Sequence, residues 1–263
     1  MPITSPGTAR QTAGQLERAE EAITDFGRGE FVIVFDDESR ENEGDLMVAA
    51  EHIDHRAMTY LLQHTAGVVC AALPYDRCAG LDLPQMVTAN SGLHDTAFTV
   101  SVDLRPGATT GIPAPERART IKALADPATQ PGDLARPGHV FPIRAARGGV
   151  LERDGHTEAA VDLSRLAGLS GVTAICEVVR PDGTMARYDD LRELAGREGL
   201  ALISVGDLIA YRTARGRGPS SPSGAQGQLR VVAAEVSHRD TSTSAGNRLD
   251  RGVCKPGSAN QGP

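Results

Sequence analysis

Six of the ten residues in Asp36-Asp37-Glu38-Ser39-Arg40-Glu41-Asn42-Glu43-Gly44-Asp45 are acids, and the run lies between two apolar stretches. A segment of this kind can be a solvated hairpin loop and nothing more. Carboxylates held so close repel one another unless a cation or a shared proton relieves them, and here Arg40 sits in their midst while Gly44 lets the chain turn tightly. Hard oxygen donors of this type suit Mg²⁺. A second segment, Gly148-Gly149-Val150-Leu151-Glu152-Arg153-Asp154-Gly155-His156-Thr157-Glu158, runs straight into an amphipathic stretch. Free amides at a helix N-terminus, the Thr157 hydroxyl and the Arg153 guanidinium would together receive a phosphate monoester, although Thr157 serves equally well as a helix cap. His156 is open to three roles: metal ligand, proton carrier or surface residue. Arg136-Pro137-Gly138-His139-Val140-Phe141-Pro142 sets another histidine beside a strand, and Cys176-Glu177 places an acid inside an apolar run. Burying Glu177 unpaired would be costly, so the sequence suggests a His139–Glu177 couple tuned for proton transfer.

These groups need a frame. Short apolar runs at 31–35, 46–50, 68–73, 97–102, 140–143, 172–179 and 201–205 read as strands, and helical spacing marks 15–26, 54–63, 115–125, 157–166, 188–199 and 205–212. The alternation predicts one α/β domain with helices covering a mixed sheet. Residues 1–13, rich in Pro, Thr, Ser and Gly, are expected to be a disordered N-terminus, and 14–212 the catalytic domain. The remainder, 213–263, carries seven basic and three acidic residues in a Gly/Ser/Pro-rich background and is expected to be a disordered low-complexity tail. Neither GxGxxG nor a P-loop occurs, so a nucleotide mechanism has no motif behind it.

Composition excludes several classes of function. A net charge of -7, with basic residues not gathered into a stripe, argues against nucleic-acid binding. No stretch approaches the roughly 20 apolar residues that would span a bilayer. Four widely spaced cysteines and no secretory signal point to a reduced, cytoplasmic protein. Cys78 and Cys254 read as incidental thiols, His52, His55, His64 and His94 as surface residues, and Met47 and Met86 as core fillers.

Taken in order, the two chemistry-bearing segments, Arg136–Pro142, and Leu83-Pro84-Gln85-Met86-Val87, Thr96-Ala97-Phe98-Thr99-Val100, Thr109-Thr110-Gly111-Ile112 and Gly155-His156-Thr157-Glu158-Ala159 closely resemble the 3,4-dihydroxy-2-butanone 4-phosphate synthases of riboflavin biosynthesis. The resemblance spans about residues 14–212. It implies a three-layer α/β (α+β) sandwich with a mixed sheet. It also implies conversion of D-ribulose 5-phosphate to the four-carbon phosphate and formate, in a homodimer whose sites lie at the subunit interface and draw on both chains. By that similarity Glu41 and His156 hold Mg²⁺ or Mn²⁺, and Arg40, Glu41, Asp45, Thr110, Arg153, Gly155, His156, Thr157 and Glu177 contact the sugar phosphate. Glu43, His139 and Glu177 form the acid/base set, with Asp36 and Cys70 lining the pocket.

The chain departs from the family pattern after Ile112, where Pro113-Ala114-Pro115-Glu116-Arg117 replaces the usual Ser-Ala-x-Asp-Arg. A hydroxyl is lost and the acid is one methylene longer. Leu169-Ser170-Gly171-Val172-Thr173-Ala174 likewise replaces a Pro-Ala-Gly turn. Three readings therefore stand: an active synthase, a diverged paralogue acting on the same or a related sugar phosphate, and a catalytically silent sugar-phosphate-binding domain. A silent domain has no reason to keep groups as costly as Glu41, His139, His156 and Glu177. The 213–263 segment holds no zinc-ligand cysteine cluster, so the GTP cyclohydrolase II fused to some relatives is not expected there.

Overall fold

Apolar side chains alternate along the central strands, and that period of two builds one sheet with a hydrophobic cluster on each face. In the computed structural model, which describes residues 6–216, the strands are β1 (Val32–Phe35), β2 (Gly44–Ala49), β3 (Cys70–Leu73), β4 (Val102–Leu104), β5 (Leu134–Arg144), β6 (Thr173–Glu177) and β7 (Ala201–Ser204). They lie in the order β4-β5-β3-β6-β2-β1-β7. The β1–β7 and β3–β5 pairs are parallel and the other neighbours antiparallel. The helices are α1 (Pro6–Gly27), α2 (His55–His64), α3 (Tyr75–Gly80), α4 (Ala114–Ala125), α5 (His156–Leu166), α6 (Tyr188–Glu198) and α7 (Val205–Ala214).

Ile33, Leu46, Val48, Ala71, Leu73, Ala174 and Cys176 face Met58 and Leu61 of α2, Ile121 and Leu124 of α4, and Leu191 of α6. The residues between them, including Val34, Met47, Ala72 and Ile175, face Phe26 of α1, Leu163 of α5 and Leu208 of α7. The result is the expected three-layer α/β sandwich around a mixed sheet. Burying each large aliphatic side chain in these layers contributes about 1.5–3 kcal/mol. No helix among the described residues is long and apolar enough to cross a membrane.

Several boundaries differ from the sequence reading. Helix α1 spans Pro6–Gly27 and so takes in residues 6–13. Proline is tolerated in a first helical turn, and Ala9, Arg10 and Gln11 are good helix formers. Helix α7 reaches Ala214, past the expected domain limit at 212. Residues 1–5, the tail from 217 onward and Cys254 lie outside the described residues. The 97–102 run is a strand only from Val102; Phe98 and Thr99 make isolated bridges to Ile143 and Gln85. Met47 fills the core as expected, but Met86 is 46% exposed because it lies in a loop.

Candidate active site

The acidic run is the loop of the β1–β2 hairpin, and it folds around one of its own carboxylates. Asp36, buried, accepts hydrogen bonds from the Glu43 amide (2.9 Å), the Glu41 amide (3.1 Å) and Arg40 Nη1 (2.8 Å). Arg187, at the N-cap of α6, holds the outside of the loop through the carbonyls of Glu41 and Asn42. Gly44 is required where the loop rejoins β2, since a Cβ there would lie 2.3 Å from Leu191 Cδ1. So anchored, Arg40, Glu41, Glu43 and Asp45 line a cavity of about 140 Å³ together with Cys70 of β3, Glu177 of β6 and Arg153, His156 and Thr157 at the start of α5.

The cavity's electrostatics follow from burial. His156 Nδ1 lies 3.3 Å from Glu41 Oε2, while its Nε2 is buried with no hydrogen-bond partner among the described residues. Asp36, Glu41 and His156 bring ligand atoms within 4.8 Å of one another. The Asp36 oxygens are already engaged by three donors, and Glu41 Oε2 also meets Arg40 Nη1 at 2.9 Å. The hydrogen bond with His156, aided by the Arg40 charge against the cost of burial, holds Glu41 down at about 2. Burial opposes charge on His156, yet Asp45, Glu41 and Asp36 outweigh it and lift the ring to about 9. Burial pushes Asp45 up to about 7, and burial with the neighbouring Glu41 charge raises Glu43. Burial, reinforced by Glu177 and Asp45, drives the Cys70 thiol well up, which keeps it a neutral wall group.

The other end of the cavity is cationic. Arg153 is aimed by Glu158 (2.5 Å to Oε2) and by the His94 carbonyl (2.9 Å), and Glu158 also accepts from the Ala146 amide (2.9 Å). The N-cap of α5 is Gly155, where a Cβ would fall 2.1 Å from Arg153 Nη1. No side chain caps α5, so its first amides and the Thr157 hydroxyl remain available to an anion.

The structure brings most of the expected residues together and separates a few. Asp36 sits behind the cavity as the loop's organiser rather than on its wall. The expected His139–Glu177 couple does not form within the chain. Glu177 Oε2 instead accepts from the Val68 amide at 2.8 Å, and His139 Nδ1 lies 2.7 Å from Asp103 Oδ2. The sheet order explains this, because β5 carrying His139 and β6 carrying Glu177 flank β3 rather than each other. Thr110 also stands apart from the cavity, in a loop tied down by Glu116, which accepts from Thr109 N, Thr109 Oγ1 and Gly111 N. Those donors hold the Glu116 carboxyl below its ordinary range, the Thr109 hydroxyl foremost. Sequence reasoning missed Arg187, Glu158 and Asp103; an arginine at a helix N-cap was the one available signal, for Arg187.

A three-layer α/β frame that turns acids, a buried histidine, an arginine and a free helix N-terminus into one small cavity defines an enzyme suited to acid–base work on a small anionic molecule. A family model described as 3,4-dihydroxy-2-butanone 4-phosphate synthase matches residues 20–211, and the chain belongs to that family. It is 50% identical over 196 residues to the 3,4-dihydroxy-2-butanone 4-phosphate synthase of Agrobacterium fabrum, covering 74% of this chain and 92% of that protein. It is 52% identical over 198 residues to the riboflavin biosynthesis protein RibBA of Phocaeicola vulgatus, covering 75% of this chain and 49% of the relative. The chain thus spans about half the length of such relatives. A crystal structure of a 3,4-dihydroxy-2-butanone 4-phosphate synthase in complex with two magnesium ions superposes with a TM-score of 0.73 at 45% identity, covering 75% of this chain and 98% of that one.

Proposed function

We propose that this chain converts D-ribulose 5-phosphate to L-3,4-dihydroxy-2-butanone 4-phosphate and formate, with Mg²⁺, or Mn²⁺ in its place, held by Glu41 and His156. The observation that carries this reading is the unpartnered, buried His156 Nε2 beside Glu41 in a cavity that ends at the bare N-terminus of α5. A bound cation would polarise neighbouring ketose oxygens and acidify the adjacent C–H. Arg153, Thr157 and the α5 amides grip the phosphate and fix the sugar's direction in the cavity. Glu43, raised by burial and by the neighbouring Glu41 charge, takes the carbon-bound proton. Asp45, near 7, passes protons to and from sugar hydroxyls, and Glu177, held by the Val68 amide, serves the later steps. Water lost from C1 is matched by water consumed when C4 leaves as formate, so the sugar phosphate's atoms are conserved between the two products.

The working unit in this proposal is a homodimer built on the domain around 14–212, acting in the cytoplasm. His139, Asp103 and Thr110 stand apart from their own chain's cavity, and they complete the cavity of the second protomer. The large exposed apolar residues Met86, Val87, Leu93 and Ile112 supply a surface for that contact. The replaced loop favours this reading over a diverged paralogue. Glu116 reaches Thr109 and Gly111 through three hydrogen bonds, and Pro113 occupies the N-cap position of α4, so Glu116 still ties the loop down. The test is incubation of the purified protein with D-ribulose 5-phosphate and Mg²⁺, with and without chelator, following formate by NMR. Cation-dependent formate, lost in Glu41→Gln and His156→Ala, supports the proposal; folded, metal-loaded protein that releases none overturns it.

A further inference from the structure

Glu41 and Glu43 flank Asn42, whose φ of 53° lies in the left-handed region that a non-glycine residue keeps only when its surroundings hold it there. The N–H and C=O of a trans peptide point in opposite directions, so a peptide plane in a loop is fixed only when partners stand on both sides of it. From inside the loop, Asp36 Oδ2 takes the Glu41 amide at 3.1 Å and Oδ1 takes the Glu43 amide at 2.9 Å. From outside, Arg187 Nη1 donates to the Glu41 carbonyl at 3.2 Å and to the Asn42 carbonyl. The Asn42–Glu43 plane is therefore held at its C=O by Arg187 and at its N–H by Asp36. Glu41 is held in the same way at its own carbonyl and its own amide.

Arg187 is itself held by the chain that leads away from Glu177. That chain docks on β2 through the Val178 amide and the Gly44 carbonyl (2.9 Å), turns where the Arg180 amide donates to the Thr184 carbonyl (2.7 Å), and returns through the Ala186 amide and the Val178 carbonyl (3.0 Å). Asp190, in the first turn of α6, then accepts from the Arg187 amide and from Arg180 Nε, both at 2.8 Å. One hairpin thus carries Glu177 at its root and Arg187 at its return. We infer that Arg187, which does not line the cavity, is a positioning residue that sets Glu41 and Glu43 relative to each other and to Glu177. Nη1 carries two hydrogens, one for each carbonyl. Without them the two carbonyls lose their outer partner and Asn42 relaxes from its left-handed conformation, which shifts both carboxylates while Asp36 keeps its hold on the amides. This inference rests on the roles proposed above for Glu41 and Glu43, but the order of the loop can be read without metal or turnover.

The experiment uses the full-length protein and Arg187→Met, which removes both bonds to the loop but leaves the cap of α6, since that cap uses the Arg187 backbone amide. In metal-free protein, amide hydrogen exchange followed by NMR should quicken at Glu41 and Glu43 in the variant while the amides of β3 and α5 keep their wild-type rates. Wild-type exchange at both loop amides overturns the inference. So does a rise spread evenly over β3 and α5, because Arg187 then only stabilises the domain. Arg187→Lys, which keeps a donor and the charge, should give intermediate exchange, and it decides the matter if Arg187→Met does not fold. In turnover with D-ribulose 5-phosphate and Mg²⁺, Arg187→Met should lower kcat by about 10- to 100-fold with a smaller change in KM, because Arg153 and Thr157 still grip the phosphate. Arg187→Lys, or free guanidinium at a non-denaturing concentration added to Arg187→Met, should recover part of that loss. An unchanged kcat in Arg187→Met beside an active wild type overturns the inference. A wild type that releases no formate overturns instead the function proposed above, and the exchange rates then decide the clamp alone.

Discussion

Removing the cation should invert the usual response of stability to pH, because two strongly perturbed groups of the cavity take up protons on folding. Burial works against charge on His156, yet Asp45, Glu41 and Asp36 raise it from 6.5 to about 9 in the folded chain. A group raised on folding contributes its full stabilisation below its unfolded pKa, and that contribution is lost as pH rises through the folded value. For His156 the interval from 6.5 to about 9 corresponds to about 3 kcal/mol, undiminished by solvent because the ring is buried. Asp45, raised by burial from 3.8 to about 7, acts in the same direction over the lower part of the range. Because each of the two charges favours the other, their contributions do not add. In a domain of this size the loss amounts to a fall in melting temperature of about 6–12 °C. Thermal unfolding of chelator-treated protein from about pH 6 to about pH 10 measures it, with His156→Asn expected to remove most of the slope. A cation needs the neutral ring, so Mg²⁺ should tighten about tenfold per pH unit below 9 and flatten the profile. A metal-free melting temperature that stays level or rises between pH 6.5 and 9 would refute the reasoning.

Three further perturbations follow from the geometry. Gly155→Ala drives a methyl group against Arg153 Nη1 and should cost one charged phosphate contact, about 1.5–3 kcal/mol, read as a raised KM for D-ribulose 5-phosphate. Arg212 donates to Asp162 Oδ2 and to the Gly148 carbonyl, both at 2.6 Å, so Arg212→Met strands a buried carboxylate; a loss of about 3–5 kcal/mol is expected in denaturant unfolding. Glu116→Ala frees the Thr109–Gly111 loop and should lower activity, whereas Glu116→Gln, which keeps one acceptor oxygen, should lose less.

Much of the frame was legible because its information is local. Continuous apolar runs mark β1, β2, β3 and β6, since each is buried on both faces and tolerates few polar residues. The helix α3 was not legible: six residues cannot display a helical stripe. The start of β5 was hidden by Pro137 and Gly138, which read as a break but lie where the strand bends against β4. In the site, the acidic loop and the start of α5 announced themselves because each is one continuous run. The partner of His139 did not, since a lone aspartate in a three-residue strand looks like any other until the register break sets it beneath the ring. Asp36 read as a cavity wall because its neighbours are; only its three donors show that it shapes the loop from behind.

The central claim is that this cavity excises one particular carbon of a sugar phosphate. Feeding the Mg²⁺-loaded protein D-ribulose 5-phosphate labelled with ¹³C at C4 alone tests it most directly. The account predicts that the label appears in formate and is absent from the four-carbon phosphate. Label retained in the phosphate product, or formate drawn from C1, would contradict it.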